Sequence, residues 1–472
     1  MIKKEYIAPF EFGKFNFIGA DLYSYQRQCL LIEKFSGTTF FTDQSLIKHI
    51  KSKKIDDKLC FKLLQRGLIQ TKESLPRYCD IKSFHKPTLM LIELTKECNL
   101  RCKYCFRDFS PLPPLQNSTE KQEVISDKTI EEICKYIANY FFKNKMKVIT
   151  IQVWGGEPLL YIDKIVHIRK VINSLNVNAR IVVQTNGTLI TPIIAEKIAK
   201  NDIHIGISID GPKKLQDLQR VNILGQSAYD KVLEGIKALR AVNRDFGVIP
   251  VITNNSIDMI EDILDFFVKD LRLDSVKFNI VHAKSNLPYD MGFDEKKSKD
   301  FSERLINKLI SLNKEGYPII ERSIQTRIEN LLIDSNGGFC KAKGCQYGKY
   351  MAGFGLDGNI YPCELMGFPE ECVGNVKENS DLSELLTTAF EKQKSFIKSP
   401  DSDHECTKCS FWAGCYGGCA SAVKYGCNDA IKTDTALCSV NKCIYPKLIE
   451  LLFTNPKNLE LLYGGEIKIL NN

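Results

Sequence analysis

The sequence predicts an α/β protein: six strand–helix units over residues 86–330, in a partial (β/α)6 barrel or an open doubly wound sheet. A small N-terminal α+β domain (1–85) precedes it, and a cysteine-rich domain (331–445) with a helical tail (446–472) follows. Two patterns and the length carry this reading. Apolar runs at 89–94, 148–154, 180–185, 204–209, 247–252 and 275–280 alternate with amphipathic stretches such as TIEEICKYIANYFFK, IDKIVHIRKVINSL, SAYDKVLEGIKALRAV and IDMIEDILDFFVKDL. Nearly continuous apolar strands are expected where helices cover a parallel sheet, and in either architecture ligand groups gather at the carboxyl ends of the strands. After residue 340 this alternation gives way to short Gly- and Cys-rich stretches. Finally, 472 residues exceed what one ordinary core organises.

In the N-terminal region, QCLLIEKFSGTTFFTD reads as a hairpin turning at Ser36-Gly37. QSLIKHIKSKK and DDKLCFKLLQRGLI follow with helical spacing, the second punctuated by Gly67, and Pro76 and Pro87 mark the linker. The region 340–445 carries too few apolar residues for a core of its own, so metal clusters are expected to staple it.

Composition excludes several classes. Hydrophobic residues make up 44% and charged residues 26%, as in a globular protein rather than a disordered one. No apolar run has the length a bilayer requires, and MIKKEYIAPFEFGKF lacks the apolar segment of a secretory signal, so a cytoplasmic location with no membrane partner is expected. The net charge of +8 is spread among interleaved acids, which argues against nucleic acid as a partner. Cysteine is the anomaly, at 18 residues. Ten lie between Cys340 and Cys438 and three between Cys98 and Cys105, a clustering that suggests metal binding. Cys29, Cys60, Cys79 and Cys134 are scattered and read as buried free thiols.

The segment ELTKECNLRCKYCFRDF follows the first predicted strand and spaces Cys98, Cys102 and Cys105 as C-x3-C-x2-C. Three thiolates on one short loop can hold three irons of a [4Fe–4S] cube and leave the fourth open. A structural zinc site is the alternative, but it ordinarily takes four protein ligands in paired knuckles, and this loop lacks the second pair.

The motif resembles the cluster loop of the radical S-adenosylmethionine (SAM) superfamily, and the resemblance extends over 88–330 in ordered segments. Gly155-Gly156-Glu157-Pro158 is similar to the family's GGEP motif, which implies that backbone groups and Glu157 receive the methionine amino group of the cofactor; glycine lets backbone come close to a ligand. Tyr104 belongs to the same cofactor-binding set. Thr185-Asn186-Gly187-Thr188 and Ser208-Ile209-Asp210-Gly211 resemble segments lining the ribose side, and Arg220 matches the residue whose guanidinium pairs with the methionine carboxylate. Taken singly, Ser208, Asp210 and Arg220 read equally as turn formers, caps or surface charges. The chemistry implied is electron transfer from the reduced cluster into the sulfonium, giving a 5′-deoxyadenosyl radical that abstracts a substrate hydrogen.

Downstream, Cys345, Cys363, Cys406, Cys409, Cys415, Cys419 and Cys438 resemble the seven-cysteine SPASM domain of radical SAM enzymes that modify peptides and proteins. With Cys340 as an eighth ligand, the resemblance implies two auxiliary [4Fe–4S] clusters. Cys340, Cys345, Cys363 and Cys419 would hold the first, and Cys406, Cys409, Cys415 and Cys438 the second. A pair of zinc ribbons is the alternative. Cys372 competes as the eighth ligand, while Cys427 and Cys443 read as free thiols and His404 as a loop histidine. Glu364, directly after Cys363, stands where related sulfatase-maturing enzymes carry an acid proposed to take a substrate proton; a turn cap is the other reading.

The front of the chain resembles the winged-helix RiPP recognition element, which captures a leader peptide as an added strand; a plain packing cap is the alternative. The whole then reads as a radical SAM/SPASM maturase of a ribosomally made precursor peptide with a leader, installing a thioether or other cross-link and served by a reducing partner such as flavodoxin or ferredoxin. The competing expectations are an anaerobic sulfatase-maturing enzyme forming formylglycine, and a non-catalytic Fe–S electron carrier or zinc scaffold.

Overall fold

The computed structural model describes residues 1–33, 37–71, 86–105, 124–281, 293–332, 347–363, 369–378, 380–393, 405–415, 417–426 and 434–467. Its centre is a run of five parallel strands in spatial order Phe246–Val248, Ile203–Ile207, Ala179–Thr185, Ile149–Gly155 and Leu89–Thr95. The middle strands bury apolar positions in alternation, such as Ile149, Ile151 and Val153, whereas Leu89–Thr95 is buried almost throughout, and helices pack against them. Ser126 caps the helix Asp127–Lys143, which buries Ile130, Ile133, Cys134, Ile137 and Phe141 at helical spacing. The helix Ile162–Ser174 packs beside it.

Regular pairing ends at Phe246–Val248, the edge strand of this sheet. The expected strand 247–252 breaks into Phe246–Val248 and Val251–Ile252, because Pro250 between them has no N–H to give the ladder. The expected strand 275–280 likewise splits: Ser275–Val276 pairs with Ile320–Glu321 and Asn279–Ile280 with Val251–Ile252, both in parallel. The expected helix over 257–271 is three successive pieces: a 3-10 segment Asn254–Met259, an α-helix Ile260–Asp265 and a π-turn Phe266–Asp270.

The cysteine-rich region is less self-contained than its composition suggests. Its strand Met351–Phe354 joins the central sheet parallel to Leu89–Thr95, with Met351 opposite Leu89, and Asn359–Tyr361 and Gly374–Asn375 extend it antiparallel. Met351, Ala352, Phe354 and Ile360 are buried there. The region, expected to lack a core of its own, thus shares the barrel's core. The helix Thr435–Thr454 starts before the tail boundary expected at 446 and runs across it.

At the front, Lys3–Ile7, Ala20–Tyr25, Gln28–Ile32 and Thr39–Asp43 form an antiparallel sheet, and the expected hairpin pairs Ile32 with Thr39; its turn residue Ser36 lies outside the described residues. Asp43 caps the helix Gln44–Lys51, and Asp56 caps Asp57–Gln65, which stops just before left-handed Gly67 (φ +69°). Strand alternation divides this sheet between two cores. Leu22 and Leu31 meet Ile47, Ile50 and Leu63 in the domain's own core, whereas Tyr23, Leu30 and Ile32 join the main one. Tyr23 donates its hydroxyl to Ser410 Oγ at 2.9 Å and stacks on Phe411, which stacks in turn on Tyr445. The N-terminal sheet is therefore seated directly on the segment that carries Cys406, Cys409 and Cys415. Among the described residues no helix is long and apolar enough to cross a membrane.

Candidate active site

The predicted site residues converge at the carboxyl ends of the parallel strands. Cys98, Cys102 and Cys105 follow Leu89–Thr95, and the strand Leu100–Cys102 pairs antiparallel with Arg220–Asn222, setting Cys102 opposite Arg220. Burial pushes the Cys98 thiol up, and that of Cys102 to about 12, with the neighbouring cysteines adding to both. The Arg220 guanidinium opposes this at Cys102, its Nη1 standing 3.8 Å from the sulfur.

The second strand end explains its glycines. The register slips between Trp154 and Gly155, and Gly155 takes φ +146°. A Cβ at Gly155 would lie 2.3 Å from Thr95 O, and one at Gly156 would lie 1.9 Å from Glu97 O. Both glycines therefore admit the backbone of the cysteine loop, so the close approach anticipated for a ligand is made first by the chain itself. Gly156 N and Glu157 N donate to Thr95 O and Glu97 O, both at 2.7 Å.

Glu157 is buried at 1% exposure beside Pro158, which starts a short 3-10 turn. Its Oε1 accepts from Thr185 Oγ1 (2.6 Å) and Leu159 N (3.0 Å), and its Oε2 accepts from Asn186 N (2.7 Å). Burial raises its carboxyl pKa and these donors pull it back. Asn186 Nδ2 donates to Asn99 Oδ1 and Asn99 Nδ2 to Thr188 Oγ1, both at 2.8 Å. Glu157 thus ties the second strand end to the third, and Asn99 ties the third to the cysteine loop. Ser208 accepts from Gln184 Nε2 at 3.1 Å and donates its backbone N–H to Thr185 O.

Asp210 is the other buried node, with no exposed surface. Its Oδ2 accepts from Tyr104 Oη (2.5 Å), Gln219 Nε2 (2.9 Å) and Arg220 Nε (3.0 Å), and its Oδ1 accepts from Val251 N (2.9 Å). Tyr104 also lies under the Arg220 guanidinium, 5.2 Å from ring centroid to Cζ. Burial raises the Tyr104 phenol well above its ordinary value; burial disfavours the Arg220 cation, but Asp210, Tyr104 and Cys102 together outweigh this and hold its pKa up. Asp210 and the Tyr104 hydroxyl therefore spend their polar groups inside the chain. They set Arg220 against the cysteine loop, with its Nη1 towards the Cys102 sulfur.

In the C-terminal region Cys409, Cys415 and Cys438 lie close enough to Cys406 that all three raise its thiol pKa, on top of burial that lifts Cys406 to about 12 and Cys415 to about 11. This is the foursome expected for the second auxiliary cluster. Cys363 and Ala420, the latter adjacent to Cys419, both pack against the cluster of Tyr347 and Ala389. Cys340, Cys345, Glu364, His404, Cys79 and Cys427 lie outside the described residues. The Cys372 thiol donates to Gly374 O at 3.3 Å; Cys29 and Cys134 are buried, and Cys60 and Cys443 partly so. Among the described residues no three His, Cys, Asp or Glu side chains close around a single metal ion.

Sequence reasoning missed Asn99, Gln219, Thr253 and Tyr161. Tyr161 donates to Glu97 Oε2 at 2.6 Å, and Thr253 to Gln219 Oε1. Only their proximity to the motifs could have singled them out.

Three thiols and a guanidinium at the carboxyl ends of a partial α/β barrel are the donor set of an iron–sulfur protein. Comparison with known proteins agrees. The model of the radical SAM superfamily matches residues 92–267, and that of the SPASM iron–sulfur cluster-binding domain matches 345–410. A cysteine-type anaerobic sulfatase-maturating enzyme of Clostridium perfringens is 26% identical over 365 residues, covering 74% of this chain and 91% of that protein. An uncharacterised protein of Methanocaldococcus jannaschii is 30% identical over 62% of this chain and 90% of its own length. The radical SAM cyclopropyl synthase TigE of Paramaledivibacter caminithermalis is 24% identical over 76% of this chain and 73% of its own. Among solved structures, anSMEcpe with bound AdoMet superposes with a TM-score of 0.65 at 21% identity, over 78% of this chain and all of that one. Streptococcus suis SuiB bound to its precursor peptide SuiA does so at 0.54 and 17%, over 86% and 95%.

The chain belongs to the radical SAM superfamily and carries its SPASM cluster-binding domain. Its cofactors are accordingly [4Fe–4S] clusters and S-adenosylmethionine, and the donor set fits them: three thiols on one loop, with the Arg220 cation beside the sulfur of Cys102.

Proposed function

We propose that this chain is a peptide maturase that installs a thioether or other cross-link in a ribosomally made precursor. The observation that carries the reading is the N-terminal sheet. It lies outside both family matches, has a core of its own, and is seated on the cysteine-rich segment through Tyr23, Ser410 and Phe411. Among the described residues its edge strand Lys3–Ile7 pairs only with Ala20–Tyr25, and it exposes Lys3, Lys4, Glu5 and Tyr6, an edge on which a leader can add as a further strand. The match to SuiB, solved on a precursor peptide, extends over 86% of the chain and supports the same reading.

Bound S-adenosylmethionine supplies a carbon radical that takes a substrate hydrogen. The chain's part is to hold and orient. Cys98, Cys102 and Cys105 would hold three irons, and Arg220, fixed by Asp210, would pair with the methionine carboxylate. Gly155, Gly156, Glu157, Thr185, Asn186 and Ser208 shape the rim. Cys363 and Cys419 with Cys340 and Cys345, and Cys406, Cys409, Cys415 and Cys438, are the ligands we assign to two auxiliary clusters, for three in all. A flavodoxin or ferredoxin supplies the electron, and Glu364 takes the substrate proton.

Mass spectrometry of a candidate precursor incubated with reduced, cluster-loaded enzyme tests the reading: loss of two hydrogens per cross-link is expected, with weaker binding of a leaderless peptide. Equal binding would remove the recognition role of the sheet. Glu364→Gln is expected to cleave the cofactor yet form no product; product at the normal rate would strip Glu364 of its role. Sulfatase maturation is the second reading, favoured by the 91% coverage of the Clostridium perfringens relative. It predicts an aldehyde on a Cys or Ser of a sulfatase peptide instead.

A further inference from the structure

The second cysteine foursome has an outer partner that neither the motif nor the proposed chemistry uses. Asn441 lies one turn beyond Cys438 on the helix Thr435–Thr454, and its Nδ2 stands 3.3 Å from Cys415 Sγ. Its Oδ1 accepts from both Nε (2.9 Å) and Nη2 (2.8 Å) of Arg327, on the helix Arg322–Leu332. A guanidinium can only donate, so this pair fixes the amide with its oxygen on Arg327 and its N–H on the sulfur.

Arg327 and Asn441 are both buried, at 6% and 7% exposure. The remaining bond of Arg327 goes from Nη1 to Ser323 O at 2.9 Å, so its hydrogen bonds end on neutral oxygens. Among the described residues no carboxylate pairs with it. A buried cation without a counter-charge is costly unless an anion stands nearby. Four thiolates on an iron–sulfur cluster would be such an anion, and the amide between them is polarised from the arginine side.

We propose that Arg327, acting through Asn441, sets the electron affinity of the second auxiliary cluster by an N–H donor bond to the ligand sulfur of Cys415. The inference rests on the assignment of Cys406, Cys409, Cys415 and Cys438 as cluster ligands. Reduction adds negative charge to the cluster, and a donor and a cation beside a ligand sulfur stabilise that charge, so the pair raises the reduction potential. Asn441 is a positioning residue: it touches a ligand, not the substrate.

The test is a redox titration, monitored by electron paramagnetic resonance, of the full-length, cluster-loaded protein. Asn441→Asp keeps an acceptor for Arg327 and the side-chain shape, but replaces the donor with an anion. It is expected to disfavour one-electron reduction of one auxiliary cluster at least tenfold, about 59 mV, and to leave the other clusters unmoved. Arg327→Gln, which removes the charge and spares the donor, is expected to shift the same cluster in the same direction by less. Unchanged potentials at full iron content, about twelve per chain, would overturn the inference. Loss of about four irons in both variants would overturn it too, by assigning the pair a structural duty alone. Wild-type protein with about four irons and bound zinc would instead defeat the ligand assignment itself, before any variant is compared.

Discussion

Asp210→Ala is expected to destabilise the barrel by about 3–5 kcal/mol, the cost of leaving a buried charge without its partner. The carboxylate has no exposed surface and takes Arg220 Nε, Tyr104 Oη, Gln219 Nε2 and Val251 N at once. Truncation strands a guanidinium that is only 7% exposed, together with three further donors. Asp210→Asn should lose less, since its amide oxygen still accepts while the charge is gone. Denaturant unfolding of the cluster-free protein measures both. An alanine variant that unfolds at the wild-type midpoint would show that Asp210 is not the node its bonds describe.

Cys102→Ala is expected to abolish reductive cleavage of S-adenosylmethionine to 5′-deoxyadenosine. Arg220 Nη1 stands 3.8 Å from the Cys102 sulfur, so on the proposed assignment the substitution removes one of three iron-binding thiols and the sulfur against which that guanidinium is set. The auxiliary clusters should persist, leaving about eight irons per chain. Iron analysis and chromatography of the nucleoside product check this. Cleavage at the wild-type rate would sink the assignment of the loop.

The motif residues were legible in the sequence because their chemistry is local. Cys98, Cys102 and Cys105 sit within eight positions, Gly155 to Pro158 are contiguous, and both sets end apolar strands whose period is plain. What those residues do with one another was less legible. Glu157 and Asp210 were expected at the cofactor, and the structure engages both with backbone and side-chain donors of the chain. The glycines of the second strand end make room for Thr95 and Glu97. Asn99 and Asn186 meet across 87 positions, and Arg327 and Asn441 across 114. No periodicity or spacing rule reaches that far.

The sequence by itself determined an alternating α/β chain, a three-thiol loop with C-x3-C-x2-C spacing, and a second, denser cysteine array. These are properties of short segments, in which side-chain identity and spacing suffice. Only the tertiary structure decided that Met351–Phe354 completes the central sheet beside the first barrel strand, so that the cysteine-rich region shares the barrel's core. It also decided that the N-terminal sheet is seated on the segment of Cys406–Cys415, and that Arg220 faces Cys102 because Asp210 holds it there. Strand pairing and buried polar nodes are satisfied between segments far apart in the chain. Their partners are chosen by what remains unpaired once the core closes, a quantity that exists only in the folded state.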